Sequence, residues 1–299
     1  MRTRPLGDTG LEVSVVGLGC NNFGGRIDED ASRAVIDAAL DAGVTFIDTA
    51  DVYGNRGGSE EIIGGALAGR RERVVLATKF GHDMGDGEEA RGSGAYIRKA
   101  LDASLRRLQT DWIDLYQYHR PDNVTPLEET IGALDELVRE GKIRAYGTSN
   151  HSAGQVEEAA SLARGPYASE QSQYSWLRRD AEQDLLPACE RLGVGFIPYF
   201  PLASGLLTGK VGRDRPPAEG TRLHGHPVDD ADLERVESLS AVADELGVPL
   251  LAVAIGGLAA QPAVLSVIAG ATKPEQVREN AEAGAWEPSA DQLERIRSA

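Results

Sequence analysis

The sequence predicts a single (β/α)8 barrel, the TIM-barrel form of the α/β class, and three observations point to it. Short apolar runs alternate with amphipathic helical patterns along all 299 residues. Regular alternation of this kind is typical of parallel strands joined by crossover helices. The count is eight strand–helix units, which at this length favours a closed barrel over an open sheet. No change of composition marks a linker, so we expect one domain, residues 1–299.

The predicted strands are short apolar runs bounded by turn residues. The chain first passes through residues 6–11, which we expect to form a short N-terminal hairpin or turn. The eight barrel strands are then expected at residues 13–19, 44–49, 74–79, 112–119, 143–149, 167–173, 194–200 and 264–270.

Helices are predicted where the apolar spacing changes to that of a helix surface. They are expected at residues 29–40, 59–67, 93–108, 127–140, 153–162, 184–192, 230–246, 250–260 and 274–283. Gly43, Gly141 and Gly193 follow three of these helices, as C-cap glycines commonly do. A longer insertion containing Pro216 and Pro217 follows the seventh strand.

Composition argues against several classes of function. A net charge of −16 disfavours nucleic acids and anionic membranes as partners, because both call for basic patches. Two cysteines are too few for a disulfide framework or a zinc cluster, so a reducing, cytoplasmic location is the default. No apolar segment of signal-peptide length follows the N-terminus, and no run approaches the roughly 18 apolar residues of a membrane span.

Ionisable residues stand at the ends of three successive strands. Asp48 ends the second strand, Lys79 the third and His119 the fourth, and Tyr53 follows Asp48 by five positions. Active sites of (β/α)8 barrels lie at the carboxyl ends of the strands, so these four side chains are expected to meet there. Lys79 is also unusual in kind, because only five of the 31 basic residues are lysines. Lysine is a compact charge whose pKa shifts readily, unlike that of arginine.

These four residue types together indicate chemistry at a carbonyl or an alcohol. A phenol is a poor proton donor or acceptor at neutral pH, because its pKa is about 10. A neighbouring ammonium should lower that pKa, and a carboxylate should hold the ammonium in place. A histidine adds a hydrogen bond to the substrate oxygen. No nucleophile is evident among them, so a nicotinamide is the natural hydride source.

Several longer motifs resemble those of the aldo-keto reductase superfamily over almost the full length of the chain. They are residues 46–54 followed by Ser59, Glu60 and Glu61, and residues 77–80, 116–122, 146–150, 198–210 and 270–276 with Asn280. The resemblance implies a barrel that binds NADPH and reduces aldehydes or ketones. It implies that Tyr53 is the proton donor, that Lys79 and Asp48 tune it, and that His119 orients the carbonyl.

The resemblance also implies a set of cofactor-binding residues. Ser149, Asn150 and Gln171 are expected at the nicotinamide carboxamide, and Tyr199 against the nicotinamide ring. The helix at 274–283 would offer its N-terminus to phosphate. The remaining residues expected at the cofactor are Cys20, Asn21, Asp48, Phe200, Pro201, Leu202, Ser204, Gly205, Leu206, Lys210, Gly270, Thr272, Lys273, Gln276, Glu279 and Asn280. Lys273 is expected to carry much of a preference for NADPH over NADH. No metal site is expected.

A further set of residues is expected at the substrate. They are Asn22, Tyr53, His119 and Trp176. Many members place a large aromatic near Asn22, where asparagine would make the pocket wall smaller and more polar; Trp176 would then supply aromatic surface, or simply pack in the core. The physiological carbonyl compound and the oligomeric state stay open.

Two other functions are compatible with parts of the sequence. One is a nicotinamide-binding regulatory or sensor subunit with slow turnover, as the potassium-channel β subunits of this superfamily are. The other is a barrel isomerase that uses Tyr53 and His119 without hydride transfer. The complete set of four residues weighs against the first, and the cofactor motifs weigh against the second.

Overall fold

The structure is a computed structural model that describes residues 1–299. It opens with an antiparallel hairpin of β1 (Thr3–Pro5) and β2 (Glu12–Ser14). Eight parallel strands follow and form the barrel: β3 (Val16–Gly19), β4 (Phe46–Asp48), β5 (Val75–Phe80), β6 (Ile113–Tyr118), β7 (Ile143–Ser149), β8 (Tyr167–Gln173), β9 (Gly195–Tyr199) and β10 (Val267–Gly270). The expected (β/α)8 architecture with an N-terminal hairpin is thereby confirmed.

The barrel strands lie in chain order, with β10 paired to β3. The strand order begins with β10 and ends with β9, and backbone hydrogen bonds of Phe196 connect these two ends. Phe196 N donates to the carbonyl of Ala263 at 2.8 Å, and Leu265 N donates to the carbonyl of Phe196 at 2.7 Å. These bonds join β9 to the segment that leads into β10 and so close the barrel.

Ten α-helices accompany the strands. They are α1 (Glu29–Asp41), α2 (Tyr53–Ala66), α3 (Gly94–Leu108), α4 (Leu127–Arg139), α5 (Ala153–Leu162), α6 (Leu185–Leu192), α7 (Asp230–Leu246), α8 (Leu250–Ala259), α9 (Pro274–Ala285) and α10 (Ala290–Ser298). Short 3-10 turns occur at Arg71–Arg73, Asp180–Glu182 and Ala203–Thr208. No single helix is long and apolar enough to span a membrane; α7 and α8 pass such a test only as a pair bent by 90°.

The first predicted strand, 13–19, is in fact two strands. Its beginning, Glu12–Ser14, pairs with β1, and only Val16–Gly19 belongs to the barrel. The Ser14 hydroxyl donates to the Val16 carbonyl and accepts from the backbone N–H groups of Thr45 and Phe46. A side chain thus satisfies backbone groups where the chain turns, and the apolar pattern continues unbroken through the bend.

The C-terminal helix α10 was not predicted. The Ser289 side chain caps its N-terminus by accepting a hydrogen bond from Gln292 N, and Ile296 within the helix is fully buried. Most of its other positions are polar or charged, so its sequence carries a weak apolar pattern. Docking against the rest of the molecule stabilises a helix that its own propensity would leave marginal.

The barrel interior is filled below the site by apolar side chains from alternate positions of the strands. They are Phe46, Val75, Ala77, Leu115, Ala145, Ala168, Ile197, Leu265 and Ile268, and Leu6 and Val13 of the hairpin segment join the same cluster. Because the interior is packed, polar strand-end residues are left to face the carboxyl-end opening. The fold therefore positions the candidate site at that mouth.

Candidate active site

Lys79 lies at the centre of a buried polar group at the barrel mouth. Its Nζ donates to Asp48 Oδ2 at 2.6 Å and to the Thr49 carbonyl at 2.9 Å. The other carboxylate oxygen of Asp48 accepts from Gln117 Nε2 at 3.2 Å and from Gln171 Nε2 at 3.0 Å. Lys79 is fully buried and Asp48 nearly so. Both carboxylate oxygens of Asp48 and two of the three ammonium N–H groups of Lys79 thus have partners, which offsets much of the cost of burying the ion pair.

Tyr53 lies on the wall of the mouth between Lys79 and His119. Lys79 Nζ is 5.3 Å from the centroid of the Tyr53 ring. The rings of Tyr53 and His119 are 5.8 Å apart and nearly perpendicular, at 85°. The tight turn after Tyr53 requires glycine at position 54, which has φ of 66° and where a Cβ would lie 2.6 Å from the Phe23 carbonyl oxygen. The structure thus brings together the four residues that the strand ends suggested.

Burial, rather than Lys79, dominates the pKa of Tyr53. The surrounding protein desolvates the phenolate and raises the pKa above its usual 10, although the Lys79 ammonium opposes that shift. Lys79 lowers the Tyr53 pKa as expected, but burial outweighs it and the net shift is upward. The phenol is therefore protonated at neutral pH and has a proton to give, but the raised pKa makes it a weaker acid than an ordinary tyrosine.

Burial also disfavours charge on Lys79, but its neighbours outweigh burial. Desolvation lowers the Lys79 pKa, while Asp48 and Tyr53 raise it to a net value above normal. For His119, burial comes first and Lys79, His82 and Arg120 add to it, so its pKa lies well below 6.5. At neutral pH the mouth thus presents a protonated phenol, an ammonium and a neutral imidazole.

A group of amides and hydroxyls lies beside His119. Tyr199 Oη donates to Asn150 Oδ1 at 2.8 Å, and Asn150 Nδ2 donates to the His119 carbonyl at 3.0 Å. Ser149 Oγ donates to the Gln171 carbonyl at 2.6 Å. Asn150 has φ of 61°, a left-handed conformation that is uncommon outside glycine. Such backbone strain is characteristic of functional sites.

A cavity of about 540 Å³ extends from this mouth to the start of α9. Asp48, Tyr53 and His119 line it, and Lys79 lies behind Asp48. Most of the residues expected at the cofactor also line it: Cys20, Asn21, Asp48, Ser149, Asn150, Gln171, Tyr199, Phe200, Pro201, Leu202, Ser204, Gly205, Lys210, Gly270, Thr272, Gln276, Glu279 and Asn280. Residues from distant parts of the sequence thus share one continuous wall.

Apart from Lys79, three of the expected residues do not line the cavity. Leu206 is buried in the core, and Lys273 is an exposed residue at the N-terminus of α9. Trp176 is 1% exposed; its indole Nε1 donates to the Val253 carbonyl at 2.9 Å, and its ring packs against Gly257. Of the two roles considered for Trp176, the structure therefore supports core packing and not a substrate wall. Asn22, in contrast, lines the cavity as expected.

The start of α9 is closed by a side chain rather than left open. Gln276 Oε1 accepts from Thr272 N at 2.7 Å and from Lys273 N at 3.2 Å. Lys210 Nζ pairs with Glu279 at 2.8 Å and so links the loop after β9 to α9. This link crosses the end of the cavity that is distant from His119.

Sequence reasoning missed the part of the insertion that covers the cavity, residues 218–223. Arg222 donates to Asn21 Oδ1 and Asn22 Oδ1, both at 2.9 Å, and lies 5.5 Å from the Phe200 ring centroid. Arg26 donates to the Gly220 carbonyl at 2.7 Å. Arg120 was missed as well, although its place directly after His119 could have suggested it. The polar, proline-containing insertion carried no signal of where it would fold.

Comparison with known proteins gives consistent matches. The model of the aldo/keto reductase family matches residues 15–299. A probable voltage-gated potassium channel subunit beta of Oryza sativa subsp. japonica is 39% identical over 301 residues, covering 95% of this chain and 91% of the relative. An uncharacterized oxidoreductase, YrpG, of Bacillus subtilis (strain 168) is 39% identical over 298 residues, covering 93% and 89%.

A solved structure matches the whole chain. The aldo-keto reductase AKR11C1 from Bacillus halodurans, in its holo form, superposes with a TM-score of 0.85 at 36% identity. The match covers 100% of this chain and 96% of the solved chain. The comparison of sequences and the comparison of folds therefore agree on the same family.

Proposed function

This chain belongs to the aldo/keto reductase family, and from that premise we propose that it is an NADPH-dependent reductase of aldehydes or ketones. Tyr53 is the proton donor in this proposal. The family and the likeness to a holo-form structure support an oxidoreductase with a nicotinamide cofactor. The observation that carries the finer proposal is the cluster of Tyr53, His119 and the Lys79–Asp48 pair at the end of one long cavity.

The side chains that line the cavity suit the parts of a dinucleotide. At the mouth, Ser149, Asn150 and Gln171 provide the amide and hydroxyl groups that would hold a carboxamide. Tyr199 and Phe200 provide aromatic surface for a flat ring. At the other end, Lys210 and the N-terminus of α9 supply positive potential that would favour phosphate, although Glu279 pairs with Lys210 and Gln276 caps the backbone N–H groups of Thr272 and Lys273. A bound nicotinamide would supply the hydride.

The protein's own groups then act on the substrate oxygen. The neutral imidazole of His119 donates a hydrogen bond to the carbonyl and so orients and polarises it. The Tyr53 phenol gives its proton to the oxygen as negative charge develops there. The Lys79 ammonium, held by Asp48, stabilises the phenolate that remains.

The test is cofactor oxidation by the purified full-length chain. NADPH absorbance is followed with a panel of small aldehydes and ketones, in wild type and in Tyr53→Phe. Turnover by wild type that the phenylalanine variant loses would support the proposal. NADPH binding with no turnover of any carbonyl compound would contradict the reductase activity.

A regulatory role is the second candidate, because one relative is named a probable potassium channel subunit beta at 39% identity. That role predicts tight NADPH binding and slow turnover. A chain with no affinity for NADPH would instead favour an isomerase that uses Tyr53 and His119. The same experiment, together with a titration of NADPH, distinguishes all three.

A further inference from the structure

We propose that the carbonyl substrate carries an anionic group, a carboxylate or a phosphate, and that Arg120 binds it. The proposal rests on the reductase function and names the substrate class of that same site.

The cavity carries positive charge in a molecule whose net charge is −16. Its lining carboxylates are Asp48 and Glu279, and each already forms an ion pair with a lysine. Arg26, Arg120 and Arg222 also line the cavity, and none of the three forms an ion pair with a carboxylate. Most arginines outside the cavity form an ion pair with a carboxylate, so three arginines without one around a single cavity point to anionic ligands.

Arg120 differs from the other two arginines in having no hydrogen-bond partner at all. Arg26 donates to the Gly220 carbonyl, and Arg222 donates to the side-chain oxygens of Asn21 and Asn22. Those bonds engage both arginines in holding residues 218–223 over the cavity. Arg120 is exposed and makes no side-chain hydrogen bond, so its guanidinium is free to bind a ligand.

Nearby carboxylates are not available to Arg120. Asp122, two residues away, accepts hydrogen bonds from the backbone N–H groups of Gly92, Val124 and Thr125 at 2.7–2.9 Å. Asp83 pairs with Arg91 at 3.4 Å. The acids on the adjoining loops are therefore committed to holding those loops in place, and the guanidinium has no internal counter-ion.

The barrel places Arg120 away from the expected phosphate end of the cofactor. Arg120 follows His119 at the end of β6, whereas α9 follows β10. In the closed order of eight strands, β6 and β10 are four positions apart in either direction, so they lie on opposite walls. An anion at Arg120 thus belongs to the end of the cavity where Tyr53 and His119 act, and not to the adenosine end.

Electrostatic effects on the neighbouring groups agree with that position. Burial raises the Tyr199 pKa, and Arg120 opposes the shift. Burial lowers the His82 pKa, and Arg120 contributes the next largest effect in the same direction. Arg120 is thus close to the aromatic wall and to the loop after β5. A guanidinium there can bind a carboxylate or phosphate through two parallel hydrogen bonds.

The experiment compares two aldehydes that differ in charge. Succinic semialdehyde carries a carboxylate, and its methyl ester is neutral and of similar shape. With wild-type protein and saturating NADPH, we expect kcat/KM to be at least tenfold higher for the acid than for the ester. In Arg120→Gln we expect that ratio to fall at least tenfold, mainly through KM for the acid.

Arg139→Gln is the matched control, because Arg139 is an exposed arginine of α4 outside the cavity and the substitution changes the net charge equally. It should leave the ratio at the wild-type value. An acid-to-ester ratio near one in wild type, or an unchanged ratio in Arg120→Gln, would overturn the proposal for Arg120 while leaving the reductase function intact.

A binding measurement separates this proposal from the reductase proposal. Calorimetric titration of 4-hydroxybutyrate into the NADP+-saturated chain should show binding in wild type, and at least tenfold weaker binding in Arg120→Gln. Binding of this kind without turnover of either aldehyde would contradict the reductase function alone. No binding of 4-hydroxybutyrate to wild type would count against Arg120 as an anion-binding residue.

Discussion

Lys79 is fully buried, and its ammonium lies 2.6 Å from one oxygen of Asp48. That pair keeps a positive charge next to the Tyr53 ring in surroundings that otherwise exclude charge. The phenol is protonated at neutral pH, and burial raises its pKa further above the ordinary value of about 10. Its readiness to donate therefore depends on how well Lys79 stabilises the phenolate as it forms, which is a property of the transition state.

We expect Tyr53→Phe to lower kcat by about 10² to 10⁴, the usual contribution of a general acid, with little change in the affinity for NADPH. The substitution removes the proton donor and keeps the ring against His119. The measurements are single-turnover carbonyl reduction and NADPH titration. A variant that keeps half of the wild-type rate of the chemical step would show that another group donates the proton.

Lys79→Met should abolish most activity, and Asp48→Asn should lose less. Lys79 acts on the phenol directly, whereas Asp48 acts only through Lys79. The side-chain oxygen of an asparagine at position 48 could still accept hydrogen bonds from Gln117 and Gln171. Rates of NADPH oxidation are compared after circular dichroism has confirmed that both variants are folded. Greater loss in Asp48→Asn than in Lys79→Met would reverse the two roles.

The N-terminus of α9 is where we expect one helix to contribute to the choice of cofactor. The helix begins with Pro274, and Lys273 immediately precedes it. The positive end of the helix and an ammonium would both favour a 2′-phosphate there. Gln276 stands where the family commonly has an arginine, and its side chain caps Thr272 N and Lys273 N. Lys273 and Lys210 are the lysines at this end of the molecule.

We expect a preference for NADPH over NADH of some tens-fold, and Lys273→Ala should remove most of it. An exposed lysine gives modest discrimination, because solvent screens its charge. The measurement is the ratio of KM values for the two cofactors, with Arg278→Ala as the control from the exposed surface of the same helix. An unchanged ratio in Lys273→Ala would place the 2′-phosphate elsewhere along the cavity.

Packing between α2 and α3 depends on a glycine. A Cβ at Gly64 would collide with the Arg107 carbonyl oxygen and lie 2.7 Å from the Leu108 carbonyl carbon. Both obstacles are backbone atoms, so the helices themselves would have to separate. Gly132, in α4, has no atom within 4 Å of the equivalent Cβ position.

Gly64→Ala should therefore destabilise the protein by about 1–3 kcal/mol, as overpacking commonly does. Gly132→Ala is the matched control; it should be neutral or stabilise by up to about 1 kcal/mol, because alanine favours a helix over glycine. Urea denaturation measures the free energy of unfolding of both variants and of wild type. Equal stability of the two would show that α2 and α3 can separate without cost.

The molecule as a whole carries a large negative charge, yet some of its acids are buried and keep their protons. Burial, with Glu60 as the next cause, raises the Asp51 pKa to about 8. Asp51 is 2% exposed, and its Oδ1 has no hydrogen-bond partner. The native state thus holds a proton that the unfolded chain releases above about pH 3.9. Stability from this residue is present at low pH and is lost as pH rises towards 8.

Asp51→Asn should accordingly stabilise the protein more at pH 8 than at pH 5, by at most about 4 kcal/mol for three pH units. The amide stays neutral at both values. Asp244 is an exposed residue of α7 without an ion pair, and Asp244→Asn serves as the control. Its effect on stability should depend little on pH. Thermal unfolding at both pH values gives the comparison. A stabilisation independent of pH would mean that native Asp51 is already ionised at pH 5.

The sequence by itself determined the barrel and the four residues at its mouth. Apolar strands and amphipathic helices alternate with local periodicity, and parallel strands necessarily present their carboxyl ends on one side. Asp48, Lys79 and His119 were therefore placed together by chain position alone. The segments expected at the cofactor were predicted by resemblance, and most of their residues line the same cavity in the structure.

Only the tertiary structure decided features that depend on contacts between distant segments. Trp176 packs against α8 rather than the cavity, and residues 218–223 cover the mouth through bonds of Arg26 and Arg222. The sign of the Tyr53 pKa shift depended on how far burial outweighs Lys79. Arg120 has no counter-ion because nearby acids bind loop backbone instead. Burial and charge pairing are properties of the three-dimensional neighbourhood, which local periodicity does not specify.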